Sequence, residues 1–269
     1  SDKIEEVQLQ NLSDSQIEEN QVKELNRLSV SYNKMLERLS EAFKIQRQFT
    51  ENAAHELRTP LSLMQIQLDL YNSGKHPGND ADTIQTIKMV AEQNERLSKM
   101  VKTLLDMSEL QTVGRDETII VNALIDEVLA DLEPLAQEKN IKLIGKCKDV
   151  NMVGSDILIY RLVYNLVENA IKYNHSGGQV IVEAYQKEKQ VYLSVEDTGS
   201  GIPEELKERV FEPFFRVDKS RSRELGGVGL GLALVNEIVR VHDGSIAIRP
   251  NPSGGTIIEV QFAVNRTTA

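Results

Sequence analysis

Phe49-Thr-Glu-Asn-Ala-Ala-His55-Glu56-Leu57-Arg58-Thr59-Pro60-Leu61 is the stretch on which the reading of this chain turns. The run has helical periodicity. At about 100° per residue, Leu57, Leu61, Met64, Leu68 and Tyr71 project roughly 160–240° away from His55. The imidazole therefore belongs to the wet face, opposite the stripe that buries against a partner helix. Thr59 and Ser62 share its side of the helix, and Ile66 is an exposed apolar residue three turns on. Glu56 lies beside the ring, able to hold or accept a proton. Pro60 removes a helical donor, leaves the Glu56 carbonyl without its usual partner and favours a bend close to the histidine. A neutral imidazole beside a carboxylate is a nucleophile that needs an electrophile. A lone histidine on such a face is ordinarily just a solvated residue, so the rest of the chain must supply that electrophile.

Upstream, the chain to about residue 48 is polar and lacks glycine and proline. Leu25, Leu28, Tyr32, Met35, Leu39 and Ala42 alternate spacings of three and four, a coiled-coil seam that continues into the His55 helix. Ser73-Gly74-Lys75-His76-Pro77-Gly78-Asn79 breaks it, with His76 a solvated turn residue. A second helix starts near Asp80 on an acidic first turn, and Ile84, Ile87, Ala91, Leu97, Val101, Leu104 and Leu105 give it a broad apolar face. Two helices joined by so short a loop cannot bury their stripes alone; a second copy makes a four-helix dimer.

From about Thr118 the period changes. A helix over Val121–Glu138 precedes strand-like Ile141–Ile144 and Val150–Val153. A helix over Ser155–Tyr173 leads to alternating strands at Gln179–Tyr185 and Gln190–Asp197. After glycine-rich loops come a helix near Leu230–His242 and strands at Ser245–Arg249 and Thr256–Phe262. Helices segregated against a mostly antiparallel sheet make an α+β sandwich.

Composition limits the functions available. With 269 residues the chain is long enough for two domains, or for one core plus a long helical arm, and a net charge of −10 without a Lys/Arg cluster argues against a nucleic-acid surface. The single cysteine, Cys147, sits in an alternating segment and reads as packing. There is no run of 18 apolar residues and no signal peptide, and the expectation is a soluble cytoplasmic fragment with a membrane anchor upstream.

Four clusters carry the chemistry. Asn165, Asn169, Lys172 and Tyr173 stand three to four apart on one helix face. Their neutral amides suit a hard cation already bearing phosphate oxygens, and the lysine is a point charge for phosphate. Asp197-Thr198-Gly199-Ser200-Gly201-Ile202-Pro203 ends a strand, where a carboxylate can accept from a base amino group and the glycines allow close approach. Phe211-Glu212-Pro213-Phe214-Phe215-Arg216 is an aromatic hinge before a basic stretch holding Lys219, Arg221 and Arg223. Gly226-Gly227-Val228-Gly229-Leu230-Gly231-Leu232 opens a helix, whose N–H groups favour anions. Each cluster taken singly has a bland reading: a solvated face, a plain turn, a piece of core, a glycine loop.

The run around His55 resembles the H-box of sensor histidine kinases, and the four clusters, in this order, resemble the N, G1, F and G2 boxes of their ATP-binding domain. That domain has the Bergerat fold, shared with DNA gyrase and the mismatch-repair ATPases. Residues 24–39 resemble the second helix of a HAMP linker. The resemblance implies a HAMP-like helix over 1–40, a dimerisation and phosphotransfer hairpin over 41–113 and a catalytic ATP-binding domain over 118–265. It implies ATP and Mg²⁺ as cofactors, with Asn165 and Asn169 serving the metal and phosphate. Lys172 would hold phosphate, Tyr173 lie against the base, Asp197 read adenine and Arg216 face the γ-phosphate. Gly199, Gly201, Ile202, Gly227, Val228, Gly229, Leu230 and Gly231 complete the nucleotide set.

His55 would be phosphorylated with Glu56 as its proton partner, then pass the phosphoryl group to an aspartate of a response regulator receiver domain. Thr59 resembles the residue that orients water for dephosphorylating the regulator, and equally a tolerated surface threonine. The implied protein is the cytoplasmic portion of a bacterial membrane receptor, a homodimer in a phosphorelay. The gyrase-like enzymes place a general-base glutamate where this chain has Asn165, which disfavours the alternative of a conformational ATPase. A non-enzymatic scaffold is disfavoured by the intact clusters.

Overall fold

The structure, a computed structural model, describes residues 23–72, 80–110, 112–217 and 227–264. The breaker at 73–79, with His76, and the basic stretch holding Lys219, Arg221 and Arg223 lie outside the described residues. The chain divides into two compact units, Ser1–Ser62 and Leu63–Ala269.

Helix α1 (Lys23–Asn72) runs unbroken through Pro60, so the missing donor does not end it. Thr59 Oγ1 donates to the His55 carbonyl at 3.2 Å, a bond back to the preceding turn that favours a slight bend of the helix next to the proline. Pro60 itself is buried. Seam residues Leu28, Met35 and Leu39 are 67%, 54% and 40% exposed, and Leu61 and Leu68 are exposed too. A single copy leaves this stripe in water. Helix α2 (Asp80–Glu109) likewise leaves Ile84, Ile87, Val101 and Leu105 exposed. Among the described residues no helix is long and apolar enough to cross a membrane.

The second unit continues with β1 (Glu117–Ile120), α3 (Val121–Glu138), β2 (Lys142–Cys147), β3 (Asn151–Gly154), α4 (Asp156–Lys172), β4 (Gln179–Lys187) and β5 (Gln190–Asp197). Two short 3₁₀ turns, Glu204–Leu206 and Arg209–Phe211, precede α5 (Gly231–Val241), β6 (Ser245–Pro250) and β7 (Thr256–Ala263). Five strands form one sheet in the order β2-β4-β5-β7-β6, antiparallel except for β2 with β4. Strand β1 has no counterpart in the sequence reading; it pairs with β3 and buries one residue, Ile119, too little for a periodic signal.

Alternation decides what faces the helices. Val180, Val182 and Ala184 on β4, Val191, Leu193 and Val195 on β5, and Ile258, Val260 and Phe262 on β7 all point to one side. That side packs on Leu158, Leu162, Val163, Leu166 and Val167 of α4 and Leu234, Val235 and Ile238 of α5. Cys147 is half-buried against the same core, and burial pushes its thiol up, which suits packing rather than reactivity.

Candidate functional site

Asp197 ends β5 in phase with the inward-facing Val191, Leu193 and Val195, so its carboxylate points to the helix layer. Thr256, the first residue of β7, lies beside Asp197 on that same face. Asp197 Oδ1 accepts two backbone N–H groups, from Gly199 at 2.8 Å and Thr256 at 3.3 Å. No described residue donates to Oδ2. Burial pushes the carboxyl above its ordinary range, and the two N–H groups pull it partly back.

The carboxylate lines a cavity of about 720 Å³. Asn165, Asn169, Lys172, Tyr173, Gly201, Ile202, Arg216 and Gly227 to Gly231 line it as well, so the structure gathers nearly the whole expected nucleotide set in one place. Gly199 serves Asp197 through its N–H and does not line the cavity. His55, Glu56 and Thr59 belong to the other unit. There His55 is exposed, Glu56 is half-buried, and the Thr59 hydroxyl is held by the His55 carbonyl.

Helix α4 presents its polar residues at three- and four-residue steps to the cavity while Leu158, Leu162 and Leu166 enter the core. Asn165 Nδ2 donates to the Arg161 carbonyl at 2.8 Å, which fixes the amide and leaves Oδ1 as the outward acceptor. A Cβ added to Gly231 would stand 2.9 Å from that Oδ1, so the glycine lets α5 start directly beside α4. Two neutral amides are too few for a bare divalent cation, but they fit one that brings oxygen ligands of its own. Lys172 is paired with Glu168 at 2.9 Å, so phosphate binding requires it to exchange partners.

The aromatic hinge is pinned to the glycine loop. Phe214 N–H donates to the Gly229 carbonyl at 2.8 Å, Arg216 Nη1 donates to the Gly227 carbonyl at 3.2 Å, and the Arg209 guanidinium sits 4.4 Å above the Phe215 ring. Gly229 has φ +80°, and a Cβ there would lie 2.6 Å from the Phe215 carbonyl oxygen, so glycine is required on both counts.

Sequence reasoning missed several residues. Thr256 and Asn251 support Asp197, and the Gly254-Gly255-Thr256 run before an alternating strand was the available signal. Helix α2 also reaches the cavity through Lys99, Met100, Thr103 and Asp106, and Asp106 pairs with Arg161 of α4 at 2.8 Å. Nothing in the spacing of α2 announces that contact.

Two protein families match this chain. The His Kinase A (phospho-acceptor) domain matches residues 45–113, and the Histidine kinase-, DNA gyrase B-, and HSP90-like ATPase family matches residues 154–266. The sensor protein CutS of Streptomyces coelicolor is 35% identical over 90% of this chain and 58% of its own length. The chain thus spans little more than half of that relative. The histidine kinase AdeS of Acinetobacter baumannii is similar in structure, with a TM-score of 0.65, 25% identity, and coverage of 79% of this chain and 98% of that one. The histidine kinase ThkA, solved in complex with the response regulator protein TrrA, shares the fold with a TM-score of 0.68 at 24% identity, over 91% of this chain and 68% of that one. A phospho-acceptor domain followed by a nucleotide-binding lobe, with kinases as relatives in sequence and structure, places the chain in the family of two-component sensor histidine kinases.

Proposed function

We propose that this chain binds Mg²⁺-ATP in the cavity, phosphorylates His55 and passes the phosphoryl group to an aspartate of a response regulator. The observation that carries the reading is Asn165. By the resemblance to the gyrase-like enzymes, its amide stands where they carry a general-base glutamate, and an amide cannot take a proton from water. The γ-phosphoryl group therefore waits for another nucleophile.

Asp197 Oδ2 accepts the adenine amino group, and Tyr173 and Ile202 flank the base. Asn165 and Asn169 would hold Mg²⁺, which supplies charge neutralisation at the phosphates. Lys172 and Arg216 add positive charge, and N–H groups of Gly227 to Gly231 face the phosphate oxygens. A neutral ring nitrogen of His55 attacks the γ-phosphorus. The N–P bond forms, the bond to the β-bridging oxygen breaks, ADP leaves, and the other ring proton passes to Glu56. A second copy covers the exposed stripe of Leu28, Met35, Leu39, Leu61 and Leu68. The complex of ThkA with TrrA supports a response regulator as partner. Membrane anchoring of the complete protein, and a HAMP-like role for residues 24–39, belong to the same proposal.

Incubation with γ-labelled ATP and Mg²⁺ tests it. The label is expected to be acid-labile and base-stable, and to vanish in His55→Gln while nucleotide binding persists. Label surviving in that variant, or steady phosphate release without labelled protein, refutes the assignment.

A further inference from the structure

The turn between β6 and β7 presses on the back of Asp197. Asn251, 6% exposed, spends every polar group it has there. Its N–H donates to the Gly255 carbonyl at 3.2 Å, and its own carbonyl accepts from Gly254 at 2.9 Å. Its Oδ1 accepts the Ser253 N–H at 2.9 Å, and its Nδ2 donates to the Asp197 carbonyl at 2.8 Å. Three of these bonds close the turn; the fourth crosses 54 positions of sequence to the end of β5.

The fit is tight. Gly255 has φ +90°, and a Cβ there would stand 2.3 Å from the Asp197 carbonyl oxygen and 2.5 Å from Oδ1. Thr256, the next residue, sends its N–H to the same Oδ1. The carboxylate is thus held on one oxygen from two directions, by its own loop through Gly199 and by the turn through Thr256. That leaves Oδ2 as its unfilled acceptor.

We propose that Asn251 is a positioning residue for base selectivity: its amide fastens the β6–β7 turn to the Asp197 peptide, which orients the carboxylate toward a 6-amino purine. The inference rests on the reading of Asp197 as the adenine acceptor. Without the Asn251 amide, the Asp197 carbonyl loses its donor and the turn recoils, taking the Thr256 N–H with it. The carboxylate then keeps one tether, from Gly199, and can rotate.

The test compares the affinities of the full chain for ATP and for purine riboside 5′-triphosphate, which lacks the 6-amino group, by calorimetric titration with Mg²⁺ present. A hydrogen bond to a charged acceptor predicts about 10- to 100-fold preference for ATP in the unaltered chain. In Asn251→Ala the preference is expected to fall below about threefold, through weaker ATP binding, with the analogue's affinity nearly unchanged. Gly255→Ala, which displaces the turn while keeping Asn251, is expected to do the same. Asn251→Ser, a smaller change, decides the matter where the alanine variant yields no folded protein. A role in stability alone lowers both affinities together and keeps their ratio; that result overturns the proposal. An unaltered chain with a ratio near one overturns the reading of Asp197 itself, and with it the inference.

Discussion

Replacing Asp197 by Asn separates stability from recognition. Asn keeps an oxygen for the Gly199 and Thr256 N–H groups, so the local hydrogen bonds survive. It places an NH₂ group where Oδ2 stood, and that donor meets the donor of an adenine. Loss of a hydrogen bond to a charged acceptor costs about 1.5–3 kcal/mol, or roughly 10- to 150-fold in affinity, and the opposed donors favour the upper part of that range. Stability moves the other way. Burial raises the native Asp197 carboxyl above its unfolded value, so between the two values the folded state binds more protons. Stability contributed by this group therefore falls as pH rises through that window, and the cost is complete above it. Asn carries no charge and escapes the cost. Thermal unfolding is expected to show the variant level with the unaltered chain in acid and more stable at neutral pH. Titration calorimetry is expected to show weakened ATP binding in the same preparation. A variant that is less stable at neutral pH, or that binds ATP as tightly, refutes the reasoning.

Gly229→Ala forces a left-handed residue at about 1–3 kcal/mol and drives a methyl group against the Phe215 carbonyl, so nucleotide affinity is expected to drop at least about tenfold by titration. His242→Ala strands the buried Ser155 N–H that donates to Nε2 at 3.1 Å, and removes a ring packed edge-on against Phe262. A loss of about 3–4 kcal/mol is expected, lowering the calorimetric Tm by roughly 6–16 °C; a change under about 2 °C refutes it. Asp106→Asn breaks the pair with Arg161, whose side chains are 13% and 24% exposed, at about 1–2 kcal/mol. Faster hydrogen exchange along residues 99–109 is the expected sign, and unchanged exchange counts against a holding role for the pair.

Much of the fold was legible because its signals are local. The apolar rhythm of Val121–Glu138 and the alternation of Gln190–Asp197 coincide with α3 and β5. The four clusters were legible for the same reason, since residues three or four apart on a helix or flanking a glycine turn are neighbours by backbone geometry alone. Other features were hidden. Strand β1 buries a single side chain. The unbroken course of α1 through Pro60, by contrast, was legible, because the stripe of Leu57, Leu61, Met64 and Leu68 crosses the proline in helical phase.

The amino-acid order by itself determined the element types, their succession, and the residue kinds a nucleotide and an imidazole acceptor require, because each depends on a few neighbouring positions. Tertiary structure alone decided that Asn251 would hold Asp197, that His242 would cap Ser155, and that Asp106 of α2 would meet Arg161 of α4. Those partners are set by the strand order β2-β4-β5-β7-β6 and by how the helices lie on that sheet. Such proximity has no short-range periodic signature, since it arises only when distant segments share one core.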